Sequence, residues 1–491
     1  MTRRAATVLL LAAGLAGCTL GPDPGEAPAT AADTADRFVS APSGTGAETP
    51  PPDDWWRHFA DPVTVELVEA ALEANPDLHA AAARVLQSEA ALGAAHGARL
   101  PQVDAGLNVS RNKFSMVLPN VGRVGIYSTT FNDQLQVSYM LDLFGKLKRG
   151  EQAAWAELMA TEASRKAVVN ALIANVIRSR VRIALLEEQL EISTATAESW
   201  RRTAALVRDR YEAGIADAAE LHLTVNSLAQ AEAAIPRLRR SIDAARHALD
   251  VLLGRRPGTG ADLPDTLPPV PDLSPVPTGL PVALLDRRPD LVAARMRFSS
   301  AAARVGVALA NLYPDLTLSA SGGFTGNEAA DLTRSSNIIY NAAMGILAPI
   351  FHGGRLRANV DAARARMEEA ASDYASAVLT ALREVEDALS ADRGLQEELA
   401  AARQSRDAAV AAEELTRMRY EYGTVELLDL LNADRTRRFA ENALIQVRSQ
   451  LWEARVALFL ALGGDWEAAV PAPDAGAPET APNATTDEVS P

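Results

Sequence analysis

Cysteine is almost absent: the 491-residue chain has one, Cys18. A single thiol excludes an intrachain disulfide framework and any cysteine-rich zinc site. Aromatic residues are also scarce, 5% of the chain, although apolar residues reach 48% and alanine is abundant. That profile suits closely packed helices rather than a large aromatic core. Positive charge is in deficit, and the formal net charge of −15 argues against a nucleic-acid partner. The six histidines, at 58, 79, 96, 222, 247 and 352, are scattered, and none stands at metal-ligand spacing with a cysteine or an acidic cluster. The sequence therefore predicts no enzyme, no cofactor and no metal site.

The N-terminus explains the lone thiol. Arg3 and Arg4 precede a short apolar run, Val8 to Ala13, as in a secretory signal peptide over residues 1–17. The run is too short to span a bilayer. It ends in Leu15-Ala16-Gly17-Cys18, which resembles the bacterial lipobox, where cleavage precedes the cysteine and its thiol carries diacylglycerol. An ordinary signal peptide with a chance cysteine is the plainer alternative. Thr19, in place of Asp, implies by resemblance sorting to the outer membrane, with outer-membrane lipid as a partner. Several acyl chains anchor stably where one binds only marginally.

Composition then divides the chain. Residues 18–54 form a Pro-rich leader, 255–281 a Pro-rich linker, and 467–491 a tail of disordered composition. The parts between, 55–254 and 282–466, echo each other. "NPDLHAAAARV" from Asn75 matches "RPDLVAARMRF" from Arg288. "RYEAGIADAAEL" from Arg210 matches "RYEYGTVELLDL" from Arg419, and "LLG" ending at Gly254 matches "ALG" ending at Gly463, both at an offset of 209. The chain is an internal tandem duplication.

Each repeat reads as a helix (Pro62 to Ala98, Val282 to Asn311), two strands, a very long helix (about Gly150 to Glu212, about Gly354 to Glu421), a glycine turn and a shorter return helix. Pro236 is expected to kink the first return helix. The first long helix carries a heptad seam through Leu172, Val176, Ile183, Ala197, Trp200, Val207 and Tyr211. It would span roughly 95 Å, too long for a compact globular domain. A soluble coiled coil would accommodate it but leaves the strands unexplained. In those strands Val103, Ala105, Leu107 and Val109 alternate with Asp104, Gly106, Asn108 and Ser110, while Leu135, Val137, Tyr139 and Leu141 alternate with Gln134, Gln136, Ser138 and Asp142. Leu316, Leu318, Ala320 and Phe324 oppose Thr317, Ser319 and Ser321. Strands of about ten residues with one wet face suit a membrane barrel. Four strands cannot close one, since such barrels begin at about eight, and eight leave an interior filled by side chains. Three copies would supply twelve.

The resemblance carried by these residues is to the TolC/OprM outer-membrane efflux factors, lipoprotein branch of the NodT type. It rests on "CTLGPDP" at Cys18, "WWRHFADP" at Trp55, "LLDRRPDLVAAR" at Leu284, "GVALANLYPDLTLS" at Gly306, "PIFHGGRLRA" at Pro349, "RYEYGTVELLDLLNADR" at Arg419 and "LGGDW" at Leu462. It implies an α+β fold: four strands per chain in a twelve-stranded membrane β-barrel, formed by a homotrimer and continuous with a periplasmic α-helical barrel. It also implies docking to a periplasmic adaptor and an inner-membrane pump of the RND class, for passive export of drugs or other small toxic compounds. An exit duct for protein secretion or metals, or a non-transporting coiled-coil lipoprotein, remains as an alternative. By the same resemblance the hairpin tips, Gly214 and Ile215 with Gly423 and Thr424, contact the adaptor. Leu428, Asp429 and Asn432 form the periplasmic constriction, and a Tyr420 to Glu220 hydrogen bond locks its closed state. Asn432 departs from the family, where an acid is usual, which weakens the negative ring that three copies of Asp429 would make. Each of these residues also has a bland reading, the glycines as helix ends and Asp429 as a solvated helix residue.

Overall fold

Prolines punctuate the helices where the repeat motifs place them. In the computed structural model the described residues are 19–25, 28–30, 37–41, 56–57, 61–119, 122–260, 263 and 284–464. Cys18, most of the leader, most of the linker and the tail lie outside them. The elements run α1 (Pro62–Ala74), α2 (Pro76–Gly97), β1 (Gln102–Leu118), β2 (Gly122–Leu141), α3 (Lys146–Glu212), α4 (Ala218–Leu252), α5 (Leu284–Arg287), α6 (Pro289–Ala310), β3 (Asp315–Gly326), β4 (Ile338–Leu347), α7 (Arg355–Glu421) and α8 (Leu427–Ala461). Two short 3₁₀ turns, Ala329–Thr333 and Ser335–Asn337, separate β3 from β4.

Three pairs of helices repeat at equal length. α3 and α7 are both 67 residues, α4 and α8 both 35, α2 and α6 both 22. Two sequence expectations change. The single first helix of each repeat is two helices, because a residue before proline is driven from the helical to the extended region. Asn75 sits there at φ −71°, ψ 123°, and its Oδ1 accepts from the N–H groups of Asp77 and Leu78, capping α2. Pro236 lies inside α4, which is helical on both sides of it. The strands of the first repeat are longer than ten residues, 17 and 20.

The chain forms two compact units, each drawing on both repeats. The first (Met1–Thr30, Ala83–Ser164, Asp290–Val378) holds a fully antiparallel sheet in the order β1-β2-β3-β4. Register puts Val103 opposite Val137, Ala105 opposite Leu135 and Val109 opposite Phe131, with Ala320 and Ala342 continuing the Val137 row. The other face carries Asp104 opposite Gln136, Gly106 opposite Gln134 and Asn108 opposite Asn132. All four strands connect to helices at the same end of the sheet. There Lys146 Nζ lies 3.0 Å from Asp315 Oδ2, tying the start of α3 to the start of β3.

The second unit (Ala31–Ala82, Arg165–Pro289, Leu379–Pro491) is helical. One core gathers Leu67, Val68 and Ala71 of α1, Val169, Ile173, Val176 and Ile177 of α3, and Trp452, Val456 and Phe459 of α8. Each leucine, valine, isoleucine or phenylalanine among them contributes about 1.5–3 kcal/mol when fully buried. Both junction residues reach back to a return helix. Asn75 Nδ2 donates to the carbonyl of Leu252 at 2.8 Å, and Arg288 donates to that of Ala461 at 3.2 Å and to Glu384 Oε2 at 2.7 Å. Leu252 and Ala461 are the last residues of α4 and α8, so both contacts satisfy carbonyls that a helix end leaves open.

Candidate functional site

The two hairpin tips belong to the second unit and are built alike. Gly214 (φ +74°) and Gly423 (φ +73°) take the left-handed conformation that ends a helix cheaply only at glycine. Ile215 N–H donates to Arg210 O at 2.8 Å, and Thr424 N–H donates to Arg419 O at 2.9 Å. Asp217 then caps α4 by accepting from Glu220 N–H at 2.7 Å. At the mate position Glu426 precedes α8, and its N–H donates to Asp429 Oδ2 at 3.3 Å. The Asp429 carboxylate thus has a local structural task. Ile215 is 77% exposed, an apolar side chain presented to solvent at the very turn.

Behind the tips the hairpins meet. Tyr420 is buried, and its hydroxyl donates to Glu220 Oε1 at 2.7 Å. Burial, and next this bond to the carboxylate, hold the Tyr420 hydroxyl above the ordinary phenol range, so it remains a protonated donor at neutral pH. Arg210 closes the arrangement. Its guanidinium stands 5.1 Å from the Tyr420 ring centroid and donates to the carbonyls of Tyr420 at 3.3 Å and Glu421 at 2.8 Å. Tyr420 packs with Leu427 and Leu430 against Ala197, Trp200 and Val207 of α3. Leu428, Asp429 and Asn432 lie on the opposite, exposed face of α8.

Deeper in the same bundle lies a charge cluster that sequence reading missed. Asp434 is fully buried; Arg438 Nε stands 2.8 Å from its Oδ2 and Arg437 Nη2 4.0 Å from its Oδ1. Arg437 also bonds Thr196 Oγ1 of α3 at 2.9 Å. Arg417 of α7 pairs with Glu413 and bonds Thr203 Oγ1 of α3 at 3.0 Å. Burial pushes the Asp434 carboxyl up, against the pull of the two arginines. The available signal was the run "DRTRR", which sets cations three and four places after an acid on one helix. Arg210 was equally legible, as the first residue of the duplicated "RYE".

Cys18 lies outside the described residues, but the chain just after it is fixed. Leu20 N–H bonds Phe144 O, and Arg149 donates from Nε to Leu20 O at 3.1 Å and from Nη2 to Gly21 O at 3.4 Å. Among the described residues no group of three His, Cys, Asp or Glu could hold a metal ion, and no helix is long and apolar enough to cross a membrane.

Comparison with known proteins follows this architecture. The outer membrane efflux protein family matches residues 67–255 and 280–464, one match in each repeat. The pyoverdine export outer membrane protein OpmQ of Pseudomonas aeruginosa is 34% identical over 429 residues, covering 84% of this chain and 87% of that protein. The toluene efflux pump outer membrane protein TtgF of Pseudomonas putida is 31% identical over 465 residues, covering 94% and 96%. The solved outer-membrane channel OprN superposes with a TM-score of 0.83 at 30% identity, over 92% of this chain and 100% of that one. The chain belongs to the outer membrane efflux protein family, and is a non-enzymatic outer-membrane channel of bacterial efflux pumps.

Proposed function

We propose that this channel exists as a homotrimer, with twelve strands closing one barrel, and serves as the passive exit of a tripartite system. The observation that carries this is the open sheet. Among the described residues neither β1 nor β4 pairs along its outer edge, and in the order β1-β2-β3-β4 these two strands run antiparallel. β4 of one copy can therefore meet β1 of the next without breaking the alternation. Unpaired edges do not survive in hydrocarbon, and three copies give the smallest closed ring with an open lumen.

The domain assignment follows the repeats: a signal peptide over 1–17, an anchor through lipidated Cys18 and its leader to 54, and two structural repeats, 55–254 and 282–466, joined by 255–281. The fixed backbone at Leu20 and Gly21, bonded to Phe144 and Arg149, supports an anchor held at the helix end of the sheet. The tips at Gly214, Ile215, Gly423 and Thr424 dock a periplasmic adaptor, and an RND-type inner-membrane pump supplies the energy. Leu428, Asp429 and Asn432 line the periplasmic constriction, and the Tyr420–Glu220 bond holds it shut until adaptor binding favours the open state. The cargo is a small organic toxicant or secreted metabolite, a reading supported by relatives named for toluene efflux and pyoverdine export.

The test is cross-linking of the lipidated protein in mild detergent, followed by planar-bilayer conductance. A discrete trimer with low resting conductance is expected, rising in the Tyr420→Phe/Glu220→Gln double variant. A monomer overturns the assembly. A trimer whose conductance is unchanged in the double variant overturns the lock alone.

A further inference from the structure

The apolar face of the sheet stops abruptly, and what replaces it is a cluster of cations. On β2 that face runs from Leu141 through Tyr139, Val137 and Leu135 to Phe131, interrupted only by Asp133. Those ten residue steps rise about 34 Å along the strand, or about 26 Å along the membrane normal at a tilt of roughly 40°. This matches the apolar band of an outer-membrane barrel, about 25 Å tall. The next rows of the same face, continuing away from the helices, pair Arg111 with Thr129, Lys113 with Tyr127, Ser115 with Gly125 and Val117 with Arg123.

Two of these cations meet at one ring. Arg111 lies 5.7 Å and Lys113 5.1 Å from the Tyr127 ring centroid. A Cβ on Gly125 would stand 2.9 Å from Lys113 Cε, so the glycine leaves room for the lysine stem to lie flat against the strand. Arg111, Lys113, Arg123 and Tyr127 are all exposed. Residues 110–130 contain these three cations and no acid, on a chain of net charge −15. Among the described residues none of the three has a carboxylate partner. They are open to an anion from outside the chain. In contrast, Arg334 in the β3–β4 connection is already paired with Asp331 at 2.6 Å.

We propose that Arg111 and Lys113, which meet at Tyr127 just above the apolar band, together with Arg123 two rows further out on the same face, bind the phosphate groups of an anionic glycolipid in the external leaflet of the membrane. The inference rests on the proposed barrel, because it needs this face to meet lipid. Arg111 and Lys113 stand at the height where headgroups begin, with Arg123 further out, and an aromatic ring beside the first two suits a site that is apolar below and wet above. Juxtamembrane cations of this kind are drawn to anionic headgroups. A trimer would carry three such sites.

The experiment uses the full-length lipidated protein in mild detergent, titrated with diphosphoryl lipid A and read by native mass spectrometry. The wild type is expected to retain lipid A adducts, and Arg111→Ser/Lys113→Ser/Arg123→Ser to lose at least about tenfold in apparent affinity. Dephosphorylated lipid A should bind the wild type as weakly as the diphosphoryl form binds the triple variant. The charge-keeping Arg111→Lys/Arg123→Lys should stay near wild type. Equal binding by the triple variant, or by dephosphorylated lipid A, overturns the proposal. Displacement by millimolar inorganic phosphate overturns the lipid as the ligand in favour of a free anion. A separate measurement isolates the underlying reading. A fluorophore on Leu107→Cys in vesicles should be quenched by chain-brominated lipid. No quenching fells the lipid-facing assignment and the proposal with it, whereas quenching with undiminished variant binding fells the proposal alone.

Discussion

Tyr211 and Tyr420 occupy the same place in two copies of one motif, yet Tyr211 is 43% exposed and Tyr420 only 2%. Their backbones are interchangeable, with the same "RYE" start, the same left-handed glycine and the same pair of turn hydrogen bonds. What differs is the neighbour. The ring of Tyr420 lands on Trp200 and Val207 of the first hairpin and finds Glu220 with its hydroxyl. The mate of Glu220 is Asp429, whose carboxylate is engaged at the start of its own helix. Duplication thus fixes local structure twice. Function departs from symmetry where the two repeats pack against each other, since that contact can be made in only one sense. The return helices repeat the lesson: Pro236 in α4 has as its mate Ile445, a buried core residue of α8.

The sharpest way to break the comparison is at the glycines that close each repeat. Gly254 (φ +65°) and Gly463 (φ +78°) both require the left-handed region. A Cβ on Gly254 would also collide with the carbonyl oxygen of Ala74, whereas on Gly463 the nearest backbone lies at 3.1 Å. Gly254→Ala should destabilise by about 3 kcal/mol or more, and Gly463→Ala by about 1–2 kcal/mol. Thermal unfolding of the two variants in detergent checks the difference, and equal losses would mean that close approach at Gly254 does not matter.

The junction residues come next. Arg288→Met leaves the Ala461 carbonyl without its guanidinium partner and breaks the pair with Glu384, for an expected loss of about 1–3 kcal/mol. Asn75→Ala removes a cap and one carbonyl contact, for about 1–2 kcal/mol. Urea midpoints at unchanged m-value should rank them in that order.

The tyrosines should separate cleanly as well. Tyr420→Phe is expected to cost about 1 kcal/mol through the lost bond to Glu220, while Tyr211→Phe stays within about 0.5 kcal/mol. Hydrogen exchange at the two tips would show protection falling in the second hairpin only.

The smallest effect is one of pH. Burial raises the Asp434 carboxyl above its unfolded value, so its contribution is fully present below that unfolded value and is lost as pH rises through the raised one. The stability of the wild type relative to Asp434→Asn should therefore fall as pH climbs from about 4 toward neutrality. Melting temperatures of both proteins across that range measure the sign, and a difference that grows with pH would contradict it.

Much of this was legible without a structure. Paired motifs at one offset gave the duplication, uninterrupted alanine-rich stretches gave the long helices, and alternation gave the strands as far as Val109. The reading stopped there for a physical reason. Beyond Asn112 the apolar residues change face, with Phe114 and Met116 now sharing the side that Asn108 held, so a search for one alternation sees the strand end. The two-helix start of each repeat was also within reach, because the proline in "NPDL" and "RPDL" disfavours a helical predecessor.

The sequence by itself determined the periodicities, the helix ends and the twofold repeat, because propensity, proline and glycine act within a few residues of chain. Only the tertiary structure decided which acid meets Tyr420 and that Asp434, with the arginines of its own helix, is buried against α3. Those outcomes depend on register and packing between segments about 200 residues apart, and no local pattern encodes which of two equivalent mates will be the one that is buried.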